Sequence, residues 1–337
     1  MGASAPTAFI HEALFHQSGD ELLNAVVPFV YDGFQVGESA VLCFTPQTEA
    51  MLQRELGYDP RVAYLTHREI YANSAGAIAA YQEIVDAYVS AGASRVRLVG
   101  EATFDSAEAD RAEWGRYEAV ANRAMEHYPV WAVCAYDTRR LDDDALALAR
   151  LTHPTVLEGT TRTASYDYVE PAEFLRRRPS VGPEALESKV PDLEITGLSD
   201  LDQFRFELEI MLLHKTRLAQ PTADFILAAN EVATNAIRYG EPPVTARLWI
   251  GSDEFVCTVS DHGDGIPDPF AGYIWPGSRD DEIPTGGMGL WLARRLCDRL
   301  DIFDGPEGPT VRLVVRNGPN TPHPRPSRHR HRGSEYY

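Results

Sequence analysis

Apolar and polar positions alternate along this chain with two different periods, and the switches between them mark the elements. Ser39–Thr45 (SAVLCFT) and Val130–Tyr136 (VWAVCAY) are continuous apolar runs, as expected of strands buried on both faces of a parallel sheet. Val62–Leu65 and Val96–Gly100 are shorter runs of the same kind. Between them lie stretches of helical period. One starts at about Ser18, where Ser18 and Glu21 have capping-box spacing. Others cover Pro46–Leu56, with proline near its first position, then Ala75–Ala91 ending at Gly92, Ala107–His127 and Ala145–Leu151. Strand–helix alternation with apolar strands predicts a three-layer α/β domain built on a mainly parallel sheet over residues 9–160.

Residues 161–198 break this rhythm. Pro171, Pro179, Pro183 and Pro191, with Arg176, Arg177 and Arg178 among them, read as a linker carrying solvated charge. Periodicity resumes over 199–316. Ser199–Ala219 is amphipathic, with Ser199 and Asp202 suited to its N-terminus, and Pro221 and Thr222 start a second helix. Val244–Ile250 and Glu254–Ser260 alternate as antiparallel strands joined by Gly251-Ser252-Asp253. Residues 266–285 have no period, Met288–Leu300 is helical, and Asp301–Asp304 and Thr310–Arg316 close the sheet. The expected form is a two-layer α/β sandwich, helices on one face of a mixed sheet. The tail 317–337, rich in Pro, His and Arg, has little to bury and is expected to be disordered.

Composition narrows the function classes. A chain of 337 residues suggests two domains, and 44% hydrophobic with 24% charged residues suits ordinary cores. A net charge of -19 argues against nucleic acid as a partner, because phosphate neutralisation needs clustered Lys and Arg. No apolar run nears the roughly 20 residues of a membrane span, and no signal peptide opens the sequence, so a soluble cytoplasmic protein is expected. Cys43, Cys134, Cys257 and Cys297 lie far apart in apolar stretches without CxxC spacing and read as buried reduced thiols.

The stretch LAANEVATNAIRYG (227–240) carries the candidate chemistry. Phe225, Ile226, Ala229, Val232, Ala233, Ala236 and Ile237 recur at helical spacing, and Gly240 fits a C′ position. Glu231 and Asn235 are four apart, so both project from one side of the helix. Further on come Asp261-His262-Gly263-Asp264-Gly265, after an apolar strand, and Gly286-Gly287-Met288-Gly289-Leu290, opening a helix. Each piece alone is commonplace: a solvated helix edge, a turn, a tight bend. Their order, ExxxN then DxGxG then GGxGL, resembles the ATP site of the GHKL superfamily, and EVATNAIRYG, DHGDGIP and GMGLWLARRLCDRL resemble the RsbW-like anti-sigma-factor kinases over about residues 195–316.

That resemblance implies Mg2+ and ATP as cofactors, with Asn235 as the metal ligand and Glu231 as the catalytic base toward a serine hydroxyl or water. It implies Asp261 as acceptor for the adenine amino group. Gly263, Gly265, Gly287 and Gly289 would allow close backbone approach to base and phosphates, and Thr310 would be a hydroxyl supporting Asp261. The expected partners are a sigma factor and an anti-sigma antagonist protein, with a second copy of the chain left open. Met288 stands where these families commonly carry a basic lid residue; Arg294 or Arg295 is the nearest substitute. His214 lies too close to Glu231 to be the phosphoacceptor of a separate hairpin. A non-catalytic ATP-binding switch therefore stands beside the kinase as an alternative.

In the N-terminal half, HEALF, VPFVYDGFQVGESAVLCF, RLVGE, RYEAVAN, CAYD and LTHP resemble the MEDS sensory domain, a RecA-like α/β domain without a nucleotide loop. The resemblance implies sensing of a small molecule or signal. Departures at Asn73-Ser74 and at Ala135 within CAYD leave its ligand residues open. His11, Asn73, Glu101, Glu118, Asn122, Tyr136, Asp137, His153 and Pro154 are polar or aromatic residues expected at strand ends, where open α/β sheets bind ligands, although capping and turn chemistry is the more usual role of such residues.

Overall fold

The computed structural model describes residues 9–66, 74–103, 108–177, 182–215, 219–274 and 287–316. Its N-terminal half begins with β1 (Ile10–His16), α1 (Gly19–Gln35), β2 (Ser39–Phe44), α2 (Pro46–Leu56) and β3 (Val62–Thr66). There follow α3 (Ser74–Ser90), β4 (Val96–Glu101), α4 (Glu108–Ala124), β5 (Val130–Asp137), α5 (Asp143–Thr152), β6 (Thr155–Glu158) and β7 (Thr161–Ala164). The sheet runs β3-β2-β4-β5-β1-β6-β7, parallel except for the β6–β7 hairpin. Ser18 starts α1 as expected: its side chain accepts from the Glu21 amide at 3.1 Å, and Glu21 reaches back to the Gln17 amide at 2.7 Å. Leu22, Val26 and Phe29 of α1 and Leu52 of α2 pack on one face of the sheet. Ile78, Tyr81 and Val85 of α3 and Tyr117 and Val120 of α4 cover the other, completing the three layers.

The second half contains α6 (Pro171–Arg176), a short 3-10 turn (Ala185–Ser188), β8 (Leu193–Thr196), α7 (Leu201–Lys215), α8 (Ala219–Tyr239), β9 (Thr245–Ile250), β10 (Glu254–Ser260), α9 (Met288–Leu296), β11 (Arg299–Gly305) and β12 (Gly308–Arg316). The sheet order is β11-β12-β10-β9-β8, and every neighbouring pair is antiparallel, where a mixed sheet was expected. Short hairpin links join β9 to β10 and β11 to β12, which leaves no parallel crossover to make. Alternate residues Phe255, Cys257 and Val259 of β10 face α7, α8 and α9 in one core, while Val256 turns to the opposite face with Trp249, Val314 and Leu186.

Residues 161–198 are more than a linker. β7 extends the N-terminal sheet, Pro171 opens α6, and β8 adds an edge strand to the C-terminal sheet. Of the prolines that read as linker composition, Pro171 sits at a helix start and Pro183 and Pro191 between elements, where no ladder amide is lost, while Pro179 and Arg178 lie outside the described residues. Two end assignments also shift. Asp200, rather than Ser199 or Asp202, caps α7, accepting from the Asp202 and Gln203 amides at 3.0 Å. Helix α9 ends at Leu296, because Leu300 is needed in β11, opposite Leu313. The tail 317–337 and Asn73 lie outside the described residues.

The two halves meet through the segment after β10. Tyr273 is buried in the apolar cluster of α3 and α4, with Phe270 and Ile274 packed against the same cluster. Arg294 of α9 is buried, its guanidinium 3.6 Å from the Tyr273 ring centroid and its Nη1 3.2 Å from Glu113 Oε1 on α4. Arg116, also on α4, reaches Glu113 at 3.0 Å and Asp301 of β11 at 3.7 Å.

Phe225 is fully buried with its ring 5.6 Å from that of Phe255, centroid to centroid. Phe225→Ala is expected to cost about 3–5 kcal/mol, read as a lower denaturant midpoint for the C-terminal half at unchanged slope.

Candidate functional site

Helix α8 is long and amphipathic, and its apolar stripe (Phe225, Ala229, Val232, Ala233) locks it against the sheet. Its rotation is thereby fixed, and Glu231 and Asn235 are left half-buried on a side flanked by α9. Contact between the helices is close at one residue. A Cβ on Gly289 would stand 2.7 Å from Glu231 Oε2 and 3.4 Å from Asn235 Nδ2, so the first turn of α9 seats on both side chains only because it carries hydrogen there. Gly287 starts α9 with φ 86, in the left-handed region that glycine adopts without strain.

Asp261 follows β10 directly. Antiparallel pairing of β10 with β12 sets Thr310 opposite Ser260, hence beside it. Asp261 Oδ1 accepts from the Gly263 amide at 2.7 Å and from the Glu241 amide at 3.4 Å; among the described residues no hydrogen bond reaches Oδ2. Gly240 is the residue that lets this carboxylate sit against the end of α8. A Cβ there would lie 2.4 Å from Asp261 Cγ. Its backbone is not left-handed, so the expected C′ conformation is absent, and close approach is what demands glycine. Thr310 Oγ1 donates to the Gly308 carbonyl at 3.0 Å, and the Ser260 hydroxyl, 3.0 Å away, donates to it. The hydroxyl expected to support Asp261 is thus engaged with its own strand end and with Ser260.

These groups border a cavity of about 680 Å³. Asn235, Asp261, Gly265, Gly287 and Thr310 line it, with Val232, Ala236, Ile266, Phe270, Ile274, Leu290 and Val311 as its apolar wall. Glu231, Gly263 and Gly289 are not among its lining residues: Glu231 and Gly289 meet beside Asn235, and Gly263 holds Asp261 from behind. The family model of the histidine kinase-like ATPase domain matches residues 198–315, and that of the methanogen/methylotroph, DcmR sensory domain (MEDS) matches residues 10–154. The chain joins a MEDS sensory domain to a histidine-kinase-like ATPase domain. No curated protein matches the chain. Among the described residues no helix is long and apolar enough to cross a membrane.

Neither arginine of α9 takes the place of a basic lid residue. Arg294 is held by Glu113 and Tyr273, and Arg295 lies over the Trp291 ring, 4.7 Å from its centroid. Met288 stays exposed at the helix start.

In the MEDS domain the candidate residues separate into two groups. Glu101 and Asp137, at strand C-termini, do turn and loop work: Glu101 accepts from the Thr45 amide at 3.1 Å, and Asp137 is paired with Arg139 at 2.7 Å. His11, Glu118, Asn122, Tyr136 and His153 instead converge inside the domain, toward the N-terminal ends of β1 and β6. They are joined by Cys134, which composition alone grouped with the inert thiols. Burial pushes the Cys43 and Cys257 thiols up to about 12 and raises Cys297 and Cys134 as well, so what separates Cys134 from the other three is its neighbours. What set Cys134 apart in sequence was its alternation on β5 with Tyr136, a residue already singled out.

Asp261→Asn is expected to weaken Mg-ATP binding to the full chain by about 1–3 kcal/mol, and Gly240→Ala, which displaces the same carboxylate, by a comparable amount. Calorimetric affinities equal to the parent chain's for both would remove Asp261 from nucleotide recognition.

Proposed function

We propose that this chain is an anti-sigma regulatory factor: a Mg-ATP-dependent protein serine/threonine kinase that phosphorylates an anti-sigma antagonist and sequesters a sigma factor, under control of its MEDS domain. The observation that carries the reading is the seating of Gly289 on Glu231 and Asn235, beside the cavity that Asp261 and Thr310 border. The cavity has a nucleotide's size, within the roughly 300–1,000 Å³ usual for ligand sites. Asn235 offers an amide oxygen, a hard ligand suited to Mg2+. The unengaged Oδ2 of Asp261 suits an exocyclic amine. ATP, when bound with Mg2+, supplies the phosphoryl group. Glu231 accepts the proton of the attacking serine hydroxyl, and Asn235 keeps that carboxylate and the metal within one turn of each other.

The same contacts support control by the sensory half. Phe270 and Ile274 border the cavity and also pack against the α3–α4 cluster of the MEDS domain. Arg294, on the helix that Gly289 begins, is joined to Glu113 of α4. A movement of α4 therefore reaches both the cavity wall and the helix that seats on Glu231.

A second reading rests on the exposed Met288 and the engagement of Arg294 elsewhere: among the described residues, neither stands at the start of α9 as a cation for a γ-phosphate. In it, ATP is structural and the chain binds its partner without phosphorylating it. Labelled ATP and a candidate antagonist distinguish the two: serine labelling, lost in Glu231→Ala with nucleotide affinity retained, is the expected result. Labelling that survives Glu231→Ala would take Glu231 out of the mechanism, and no labelling by the parent chain would favour the switch.

Glu113→Gln leaves the Arg294 guanidinium buried without its carboxylate, a loss of about 3–5 kcal/mol for a buried pair. Hydrogen exchange is expected to accelerate at residues 270–274 and 288–296, with the core of α1 and α2 unaffected. Unchanged exchange there would separate the two domains functionally.

A further inference from the structure

His11, Glu118, Cys134 and His153 come from β1, α4, β5 and the turn after α5, and each offers one ligand atom. These atoms all lie within 4.8 Å of one another. His11 Nε2 is 3.3 Å from Glu118 Oε2 and 3.4 Å from Cys134 Sγ. Glu118 Oε2 is 3.8 Å from both Cys134 Sγ and His153 Nε2. A zinc tetrahedron with bonds of about 2.0–2.3 Å has edges of about 3.3–3.6 Å. The four atoms need only small shifts to form one.

The surroundings fix which atoms point inward. His153 Nδ1 is 2.8 Å from the Ala149 carbonyl, which can only accept, so Nδ1 carries the proton and Nε2 presents its lone pair. Asn122 Nδ2 donates to the carbonyls of Glu118 and Thr152 at 3.1 and 2.8 Å, which orients the amide. Its oxygen therefore accepts from His11 Nδ1 at 3.1 Å, and Nε2 is the His11 atom that faces Glu118 and Cys134. Tyr136 donates to Glu118 Oε1 at 3.4 Å, leaving Oε2 facing the histidines. His153 is fully buried, and among the described residues its Nε2 has no hydrogen-bond partner. The Cys134 thiol can donate to Glu118 Oε2 at 3.8 Å, but that leaves His153 Nε2 unsatisfied, and a cation at the point the four atoms face would satisfy all of them. Three of the four inward ligands also have an outer partner of the kind that orients metal ligands: Ala149 for His153, Asn122 for His11 and Tyr136 for Glu118.

We infer that His11, Glu118, Cys134 and His153 form a closed four-coordinate site for a borderline divalent transition-metal ion of the zinc type. Two nitrogens, one thiolate and one carboxylate match that ion better than Mg2+ or Ca2+, which take oxygen. With all four positions supplied by protein, the site holds the metal rather than exposing it to a substrate. Binding proceeds with release of the Cys134 proton to solvent and ties α4 to β1 and β5. The site does not depend on the kinase reading.

The test uses the full chain, stripped with a chelator and titrated with Zn2+ and with Co2+. One Zn2+ per chain is expected, and Co2+ should give the intense visible bands of a tetrahedral ion with a thiolate-to-cobalt charge-transfer band. The tail histidines His323, His329 and His331 also attract metal, so the charge-transfer band, and not stoichiometry alone, decides. Cys134→Ser is expected to abolish that band. Asn122→Ala, which removes an outer partner only, should keep the band and weaken Zn2+ binding about 10–100-fold. A parent chain with native circular dichroism that shows no charge-transfer band on Co2+ addition overturns the site, whatever the variants do. So does Zn2+ affinity unchanged in both Cys134→Ser and His153→Gln.

Discussion

The junction of Arg294 with Glu113 and Tyr273 is the constraint on which the arrangement of this chain depends. A buried guanidinium is tolerable only where a carboxylate and an aromatic face replace its water. Here the carboxylate comes from the MEDS domain, while the arginine and the ring come from the ATPase domain. Neither half can satisfy Arg294 by itself. The contact therefore fixes α9 against α4, and with it the seat of Gly289 on Glu231 and Asn235. Arg116 extends the junction from α4 to Asp301 on β11, so the charge is shared between the two domains.

That geometry explains why α9 lacks a cation at its start. For Arg294 to turn toward phosphate it would have to leave Glu113 and the Tyr273 ring, and the cost of breaking that buried contact opposes it. The exposed Met288 and the engaged Arg294 are two sides of the same choice: charge is used to join the domains rather than to face the cavity. On the kinase reading, phosphate stabilisation and interdomain contact thus compete for one residue.

Much of this was legible in the sequence. Continuous apolar runs located the parallel strands because such strands are buried on both faces, and Ser18 and Pro46 marked helix starts through chemistry local to a few residues. Glu231, Asn235 and Asp261 could be singled out because a four-residue spacing and a DxGxG turn imply geometry by themselves. Three things were not legible. Strand direction in the second sheet depends on loop closure and not on periodicity. The prolines of 161–198 mark strand and helix ends as readily as they mark a linker. The role of Gly240 lies in a contact with Asp261, 21 residues away, to which its place after a helix gives no clue.

Cys134 shows the same limit from the other direction. By composition it equals Cys43 and Cys257, yet only Cys134 faces two histidines and a glutamate, because β1 and β5 pair in a register that sets Ala13 opposite Cys134 and leaves His11 diagonal to it. Glu118 reaches this cluster from α4, and Glu113, on the same helix, reaches Arg294. One helix thus holds a buried cluster at Glu118 and, five residues earlier at Glu113, an ion pair to the ATPase domain. What binds at Glu118 and what moves at Glu113 are therefore one mechanical question, and α4 is the element that answers it.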